Sequence, residues 1–252
     1  MRRLPQAALV LALAAIASAA AATVWQTIDG EAASINGNTL TDNGWTYQLE
    51  YQSNGTKPAL STAQAYAGSS SLFMRISPDT DGQKERSEIR ITQGTPFGSE
   101  RWLSFALYIP TNFQAHPVDR WLMLAQVWQY SPASPPIALE FQPNTSNNLQ
   151  LIVRNNDTGT SAPNIVKTGI AINKGAWNTV QLGFRLSTAN TGFVSVYVNG
   201  QLVHTYNGKV GYIENQSYVT PKLGLYGSNS SALHEIWVDN VRYGSSRAET
   251  TP

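Results

Sequence analysis

The chain is 252 residues long, contains no cysteine, and carries 17 basic against 16 acidic side chains. The missing thiols exclude disulfides, thiolate nucleophiles and cysteine-held metals, and the near-zero net charge excludes a surface built to hold nucleic acid or polyanions in general. Any attraction to an anion must therefore be local.

Residues 1–22 read as a secretory signal peptide, because Arg2 and Arg3 precede an apolar run from Ala7 to Ile16 and then small residues. No later stretch supplies the roughly 20 apolar residues of a membrane span. The mature protein is expected to be a secreted, extracellular monomer with no membrane partner. Without the two leader arginines, the 17 basic residues fall to 15 against 16 acidic ones, a formal charge near −1.

Residues 23–244 read as one β domain. In "KERSEIRI", Lys84, Arg86, Glu88 and Arg90 share one side of a predicted strand while Ile89 and Ile91 share the other. Like charges on one face repel, so this face either binds an anion or is a solvated ladder of little energetic worth. "LSFALYI" places Leu103, Phe105, Leu107 and Ile109 on one side. His116, in "FQAHPVDRW", precedes the next strand and is a candidate base that could reach a groove, or a surface histidine. In "WLMLAQVWQ", Gln126 and Trp128 face one way and Ala125 and Val127 the other. Arg154, in "LIVRNND", is a candidate cation for a neighbouring sugar or a plain exposed arginine.

"VQLGFRL" and "VSVYV" alternate in the same manner, and Asn199-Gly200 after the second marks a hairpin, since a type I′ turn needs positive φ at both central residues. "PKLGLYG" turns Lys222, Gly224 and Tyr226 to one side and Leu223 and Leu225 to the other. Asp239, on the last strand, is a candidate ligand for a structural calcium or a plain surface carboxylate. The tail "SSRAETTP", residues 245–252, reads as disordered. Many short strands separated by turn clusters, with no long amphipathic helix, predict an all-β fold: a two-sheet antiparallel jelly-roll sandwich with a concave groove.

The chemistry is bounded by what is missing. His116, His204 and His234 lack metal-ligand spacing, and neither a GxSxG elbow nor a phosphate-binding glycine loop occurs. Glu235 and Asp239 are four apart and interrupted by Trp237, a poor match to the paired carboxylates of a glycosidase. Three polar faces remain, and their arginine, glutamine and tyrosine could converge on one concave surface.

"RSEIR" resembles the RSEL-type strand of the jelly-roll polysaccharide lyases, "AQV" their QIH or QVH strand, and "KLGLYG" their KAGVYN strand. Together these resemble the alginate lyase-like group, closest to polysaccharide lyase family 20, the glucuronan lyases. The resemblance spans Gly82 to Tyr226 at the level of motifs. It implies β-elimination on an acidic polysaccharide with no cofactor required. It also implies that Arg86 and Gln126 neutralise the substrate carboxylate and that Tyr226 transfers protons. Lys84, Arg90, Trp128 and Lys222 are the accompanying substrate-binding candidates, with Glu88 as a partner that orients an arginine. Trp128 stands where the alginate enzymes have a histidine.

Elimination from a 4-linked uronate needs its carboxylate screened, a base for the C5 proton and an acid for the departing O4. In β-D-glucuronate and β-D-mannuronate that hydrogen and O4 lie on one ring face, so a single tyrosine can serve both. In α-L-guluronate they lie on opposite faces, and a second group is needed across the ring. Trp128 therefore argues against guluronate and for a syn eliminator acting on glucuronate or mannuronate; with the family resemblance, glucuronan is the preferred substrate and polymannuronate or alginate the alternative. A carbohydrate-binding module without catalysis is the alternative of another class.

Overall fold

A computed structural model describes residues 23–79, 81–129, 133–155, 164–212, 218–228 and 231–252; the signal-peptide assignment lies outside the described residues. No α-helix occurs among the described residues. The strands, in chain order, are β1 (Val24–Ile28), β2 (Ser34–Asn36), β3 (Thr39–Asp42), β4 (Trp45–Gln52), β5 (Ala59–Ser61), β6 (Ser71–Ile76), β7 (Lys84–Ile91) and β8 (Arg101–Tyr108). There follow β9 (Leu122–Trp128), β10 (Ile137–Phe141), β11 (Asn148–Val153), β12 (Ile165–Ala171), β13 (Trp177–Arg185), β14 (Ser187–Val198), β15 (Gln201–Val210), β16 (Thr220–Ser228) and β17 (His234–Gly244).

They form two antiparallel sheets of jelly-roll type. One has the order β15-β14-β13-β8-β17-β6-β5, with β1 also on β17, and the other β12-β11-β10-β9-β16-β7-β4-β3-β2. The alternating residues fill the space between them. Leu103, Phe105 and Leu107 meet Val180, Leu182 and Phe184 from one sheet, and Ile89, Ile91, Ala125, Val127, Leu223 and Leu225 come from the other, all fully buried in one cluster. Each such large side chain contributes about 1.5–3 kcal/mol on burial. Burying those residues forces the intervening ones, Arg86, Gln126, Lys222 and Tyr226 among them, onto the outer face of the nine-stranded sheet.

The hairpin is present: Asn199 and Gly200 have φ of 50° and 78° between β14 and β15. The tail departs from expectation. Thr250 is buried, Ser104 Oγ donates to its carbonyl, Arg247 Nε donates to Gln181 Oε1 at 3.0 Å, and the Arg247 guanidinium stacks 3.8 Å from the Tyr197 ring centroid. Polar composition predicted disorder, but these partners on β8, β13 and β14 fold the tail over the eight-stranded sheet.

Candidate active site

The three motif strands are neighbours, in the order β9-β16-β7. Tyr226 lies opposite Arg86, and Lys222 lies opposite both Arg90 on β7 and Gln126 on β9. On the β9 side the register shifts between Leu223 and Tyr226. Gly224, at φ 139°, sits in that stretch, and a Cβ there would lie 2.4 Å from the Ser87 carbonyl oxygen. Only glycine lets β16 approach β7 closely enough to set the tyrosine over the arginine.

The Arg86 guanidinium stands 4.0 Å from the centroid of the Tyr226 ring. Its Nη1 donates to Glu50 on β4, and its Nε lies 3.3 Å from Glu88 Oε2. Burial disfavours the Arg86 cation, but Glu88, Glu50 and Tyr226 more than offset this. Gln126 Nε2 donates to Glu88 Oε1 at 2.7 Å, so one buried carboxylate orients both the arginine and the amide. Complete burial pushes the Glu88 carboxyl upward against the pull of Arg86 and Lys222.

Tyr226 is wedged on its other side by Trp121, edge to face at 4.9 Å between centroids. Met123, Ala138 and Ile152 form an apolar floor beside this pair. The resulting depression has a volume of about 590 Å³ and is lined by Lys84, Arg86, Gln126, Trp128, Arg154, Lys222 and Tyr226. That is within the range that holds a few sugar rings. It continues past Arg86 and Lys222 toward Tyr51 and Gln52, and past Trp121 and Glu140 toward Arg120 and Gln142. The groove thus runs across the strands.

Of the candidate substrate-binding residues, Lys84, Trp128, Arg154 and Lys222 line the central depression. Lys222 Nζ lies 4.9 Å from the Trp128 ring centroid, and Arg154 is anchored by a 2.7 Å bond from Nη1 to the Pro135 carbonyl. Arg90 does not line it; its Nε reaches Glu50 at 3.6 Å instead. Glu88 is fully buried and holds protein side chains, so it cannot bind substrate directly. Asp239 is also buried: Oδ2 accepts from the Tyr66 and Ala67 amides and Oδ1 from that of Asn240. Both oxygens are thus taken by backbone donors, and among the described residues no group of three acidic or histidine side chains is placed to hold a metal.

His116 is not in the groove. It is 2% exposed, its ring 6.3 Å from that of His234, which in turn packs against Phe113 at 5.3 Å. Burial holds His116 down at about 4, and burial together with His116 holds His234 down at about 3. An imidazole kept neutral by an apolar pocket on the far side of the sheet abstracts no proton in the groove. Because both folded values are depressed, their stabilising contribution is present above the ordinary histidine range near 6.5 and is lost as pH falls through about 4 and about 3. The thermal midpoint is therefore expected to drop as pH is lowered from 6.5 to 4, with the proton resonances of both imidazoles unmoved between pH 8 and 5.5. Titration of either ring near 6.5 in the folded protein would contradict the placement.

Sequence reasoning missed Glu50, Glu140 and Trp121. Glu140, buried beside Arg154, accepts from Gln150 Nε2 at 3.2 Å, and burial raises its carboxyl. A lone acid inside the apolar run "IALEF" was the available signal. Glu50 joins Arg86, Arg90 and Lys222, and no local pattern in "YQLEYQ" marks that role.

A family model described as Polysaccharide lyase matches residues 36–242. Among solved structures, the fold is similar to an endo-beta-1,4-glucuronan lyase from the fungus Trichoderma reesei, with a TM-score of 0.73 at 20% identity over 91% of this chain and 99% of that one. It is also similar to the cellulose induced protein Cip1, with a TM-score of 0.59 at 14% identity over 88% and 98%. A third likeness is to alginate lyase A1-II′ of polysaccharide lyase family 7, with a TM-score of 0.50 at 13% identity over 84% and 85%. No curated protein matches the chain by sequence.

Proposed function

The chain belongs to the polysaccharide lyase family, and from that premise we propose that it is a secreted enzyme cleaving β-1,4-linked glucuronan by syn β-elimination. The observation that carries this reading is the Arg86 guanidinium 4.0 Å from the Tyr226 ring in a groove able to seat a polymer. Arg86 and Gln126 bind the uronate carboxylate and spread the charge that develops when the C5 proton leaves. Tyr226, as phenolate, takes that proton. The C5–H electron pair becomes the C4=C5 double bond, the C4–O4 pair departs with oxygen, and the phenol returns its proton to O4. Atoms and charge balance with one residue acting as base and then acid.

Trp128, set beside Lys222, supports a wall for stacking the sugar's apolar face in place of a second proton carrier. This favours uronates whose C5 hydrogen and O4 share a ring face. Likeness in fold to a glucuronan lyase supports glucuronan over polymannuronate. A groove continuing on both sides of the centre supports cleavage within the chain.

The conjugated double bond creates a new ultraviolet absorbance. Incubation with glucuronan, polymannuronate, polyguluronate and heparin-like chains should raise it fastest with glucuronan. Fastest cleavage of polyguluronate would overturn the syn assignment. Binding without absorbance would favour a carbohydrate-binding module, and reducing ends without absorbance a hydrolase.

A further inference from the structure

Glu50 is the hub of three cations, two of which, Arg86 and Lys222, line the central depression. Its Oε2 accepts from Arg86 Nη1 and, at 2.7 Å, from Lys222 Nζ, while Oε1 lies 3.6 Å from Arg90 Nε. Burial pushes this carboxyl up, but the hydrogen bond from Lys222 and the charges of Lys222, Arg86 and Arg90 outweigh it and hold it ionised. Arg86 and Lys222 are also the residues shared between the central depression and its extension over β4, so the carboxylate stands at that junction. An uncharged hydrogen-bonding residue would suffice to fill this space. A carboxylate does two further things.

First, it occupies donors of the cations that a uronate carboxylate also seeks, so protein and substrate carboxylates compete for one set of N–H groups. Second, it fixes the guanidinium plane. With Nη1 on Glu50 and Nε beside Glu88, Arg86 is held on two edges with its face against Tyr226. We infer that Glu50 is a positioning residue of the elimination reaction, holding Arg86 and Lys222 in working geometry at the expense of ground-state affinity for the uronate. This role rests on the reaction proposed above. It follows the rule that binding energy raises turnover only when it is realised in the transition state.

The test is a comparison of wild type, Glu50→Gln and Glu50→Asp on glucuronan. Glu50→Gln releases three cations, Arg86 and Lys222 in the depression and Arg90 beside it, and adds one net positive charge there. KM should fall about threefold or more, with a steeper dependence on salt, while kcat falls by about tenfold or more from loss of the arginine's orientation. Glu50→Asp keeps the charge one methylene further back and should recover part of kcat with KM near wild type. In a Tyr226→Phe background, where turnover is slowed by about 10²-fold or more, Glu50→Gln should still tighten binding of glucuronan oligomers. If Glu50→Gln does not fold, a fall in kcat at unchanged KM in Glu50→Asp carries the inference, and a rise in KM without loss of kcat sinks it. In Glu50→Gln, an unchanged kcat, a KM that is unchanged or raised, or weaker oligomer binding overturns the role of Glu50 alone while leaving the lyase reading intact. A wild-type protein that gives no unsaturated product from any polyuronate overturns both.

Discussion

Tyr226→Phe should lower the rate of unsaturated product formation by about 10²–10⁴-fold, the range for loss of a positioned acid–base group, and change binding of glucuronan oligomers by less than about threefold. The ring itself is retained, so its packing against Trp121 at 4.9 Å and beneath the Arg86 guanidinium at 4.0 Å survives the substitution. The variant loses only the hydroxyl to which the proposed reaction assigns proton exchange with C5 and O4. A stability change beyond about 1 kcal/mol would be unexpected for an oxygen on a partly exposed ring. The decisive pair of measurements is absorbance at saturating substrate and calorimetric binding of a short oligomer. Residual turnover within tenfold of wild type would remove Tyr226 as the base and leave the groove without an evident alternative, since His116 is buried on the other side of the sheet.

The faces of the strands were legible before their neighbours were. Period-two alternation assigns Arg86, Gln126, Lys222 and Tyr226 to the side opposite Ile89, Val127 and Leu223 because burying one set between the sheets turns the other to the outer face. Alternation says nothing about which strands pair. Convergence of the three polar faces came within reach through the likeness of three short motifs to a family; the order β9-β16-β7 and its register, which set Tyr226 opposite Arg86 and Lys222 opposite Gln126, are seen only in the fold. Glu50 stayed hidden for the same reason: its significance exists only once β4 pairs with β7, setting Gln52 opposite Arg86 and Gln48 opposite Arg90 with Glu50 between. His116 went astray because a histidine in a polar loop gives no hint of being folded inward against His234. The tail erred likewise, since its order depends on hydrogen bonds to β8 and β13, distant in the chain.

Arg86→Ala should be more damaging than Tyr226→Phe, because it removes the proposed uronate-binding group and disturbs the network behind it. Without the guanidinium, Glu50 keeps Lys222 and Arg90, but Glu88, fully buried, loses its ion pair and keeps the Gln126 hydrogen bond and the charge of Lys222. A buried carboxylate stripped of its cation costs about 3–5 kcal/mol if it remains charged. Protonation is the alternative, and the upward push of burial on Glu88 makes that route accessible. The expected result is therefore a loss of stability that grows as pH rises, since an unpaired Glu88 resists ionisation and its folded value lies above the unfolded one. Activity should fall by about 10³-fold or more in kcat/KM, with oligomer binding weakened by about tenfold or more. Arg86→Lys separates the two functions: a lysine restores a charge but not a planar fork that can meet Glu50, Glu88 and a uronate together. Binding should recover substantially and kcat very little. If Arg86→Lys instead restored turnover to near wild type, charge alone would suffice and the two-edged clamping of the guanidinium would have no part in catalysis.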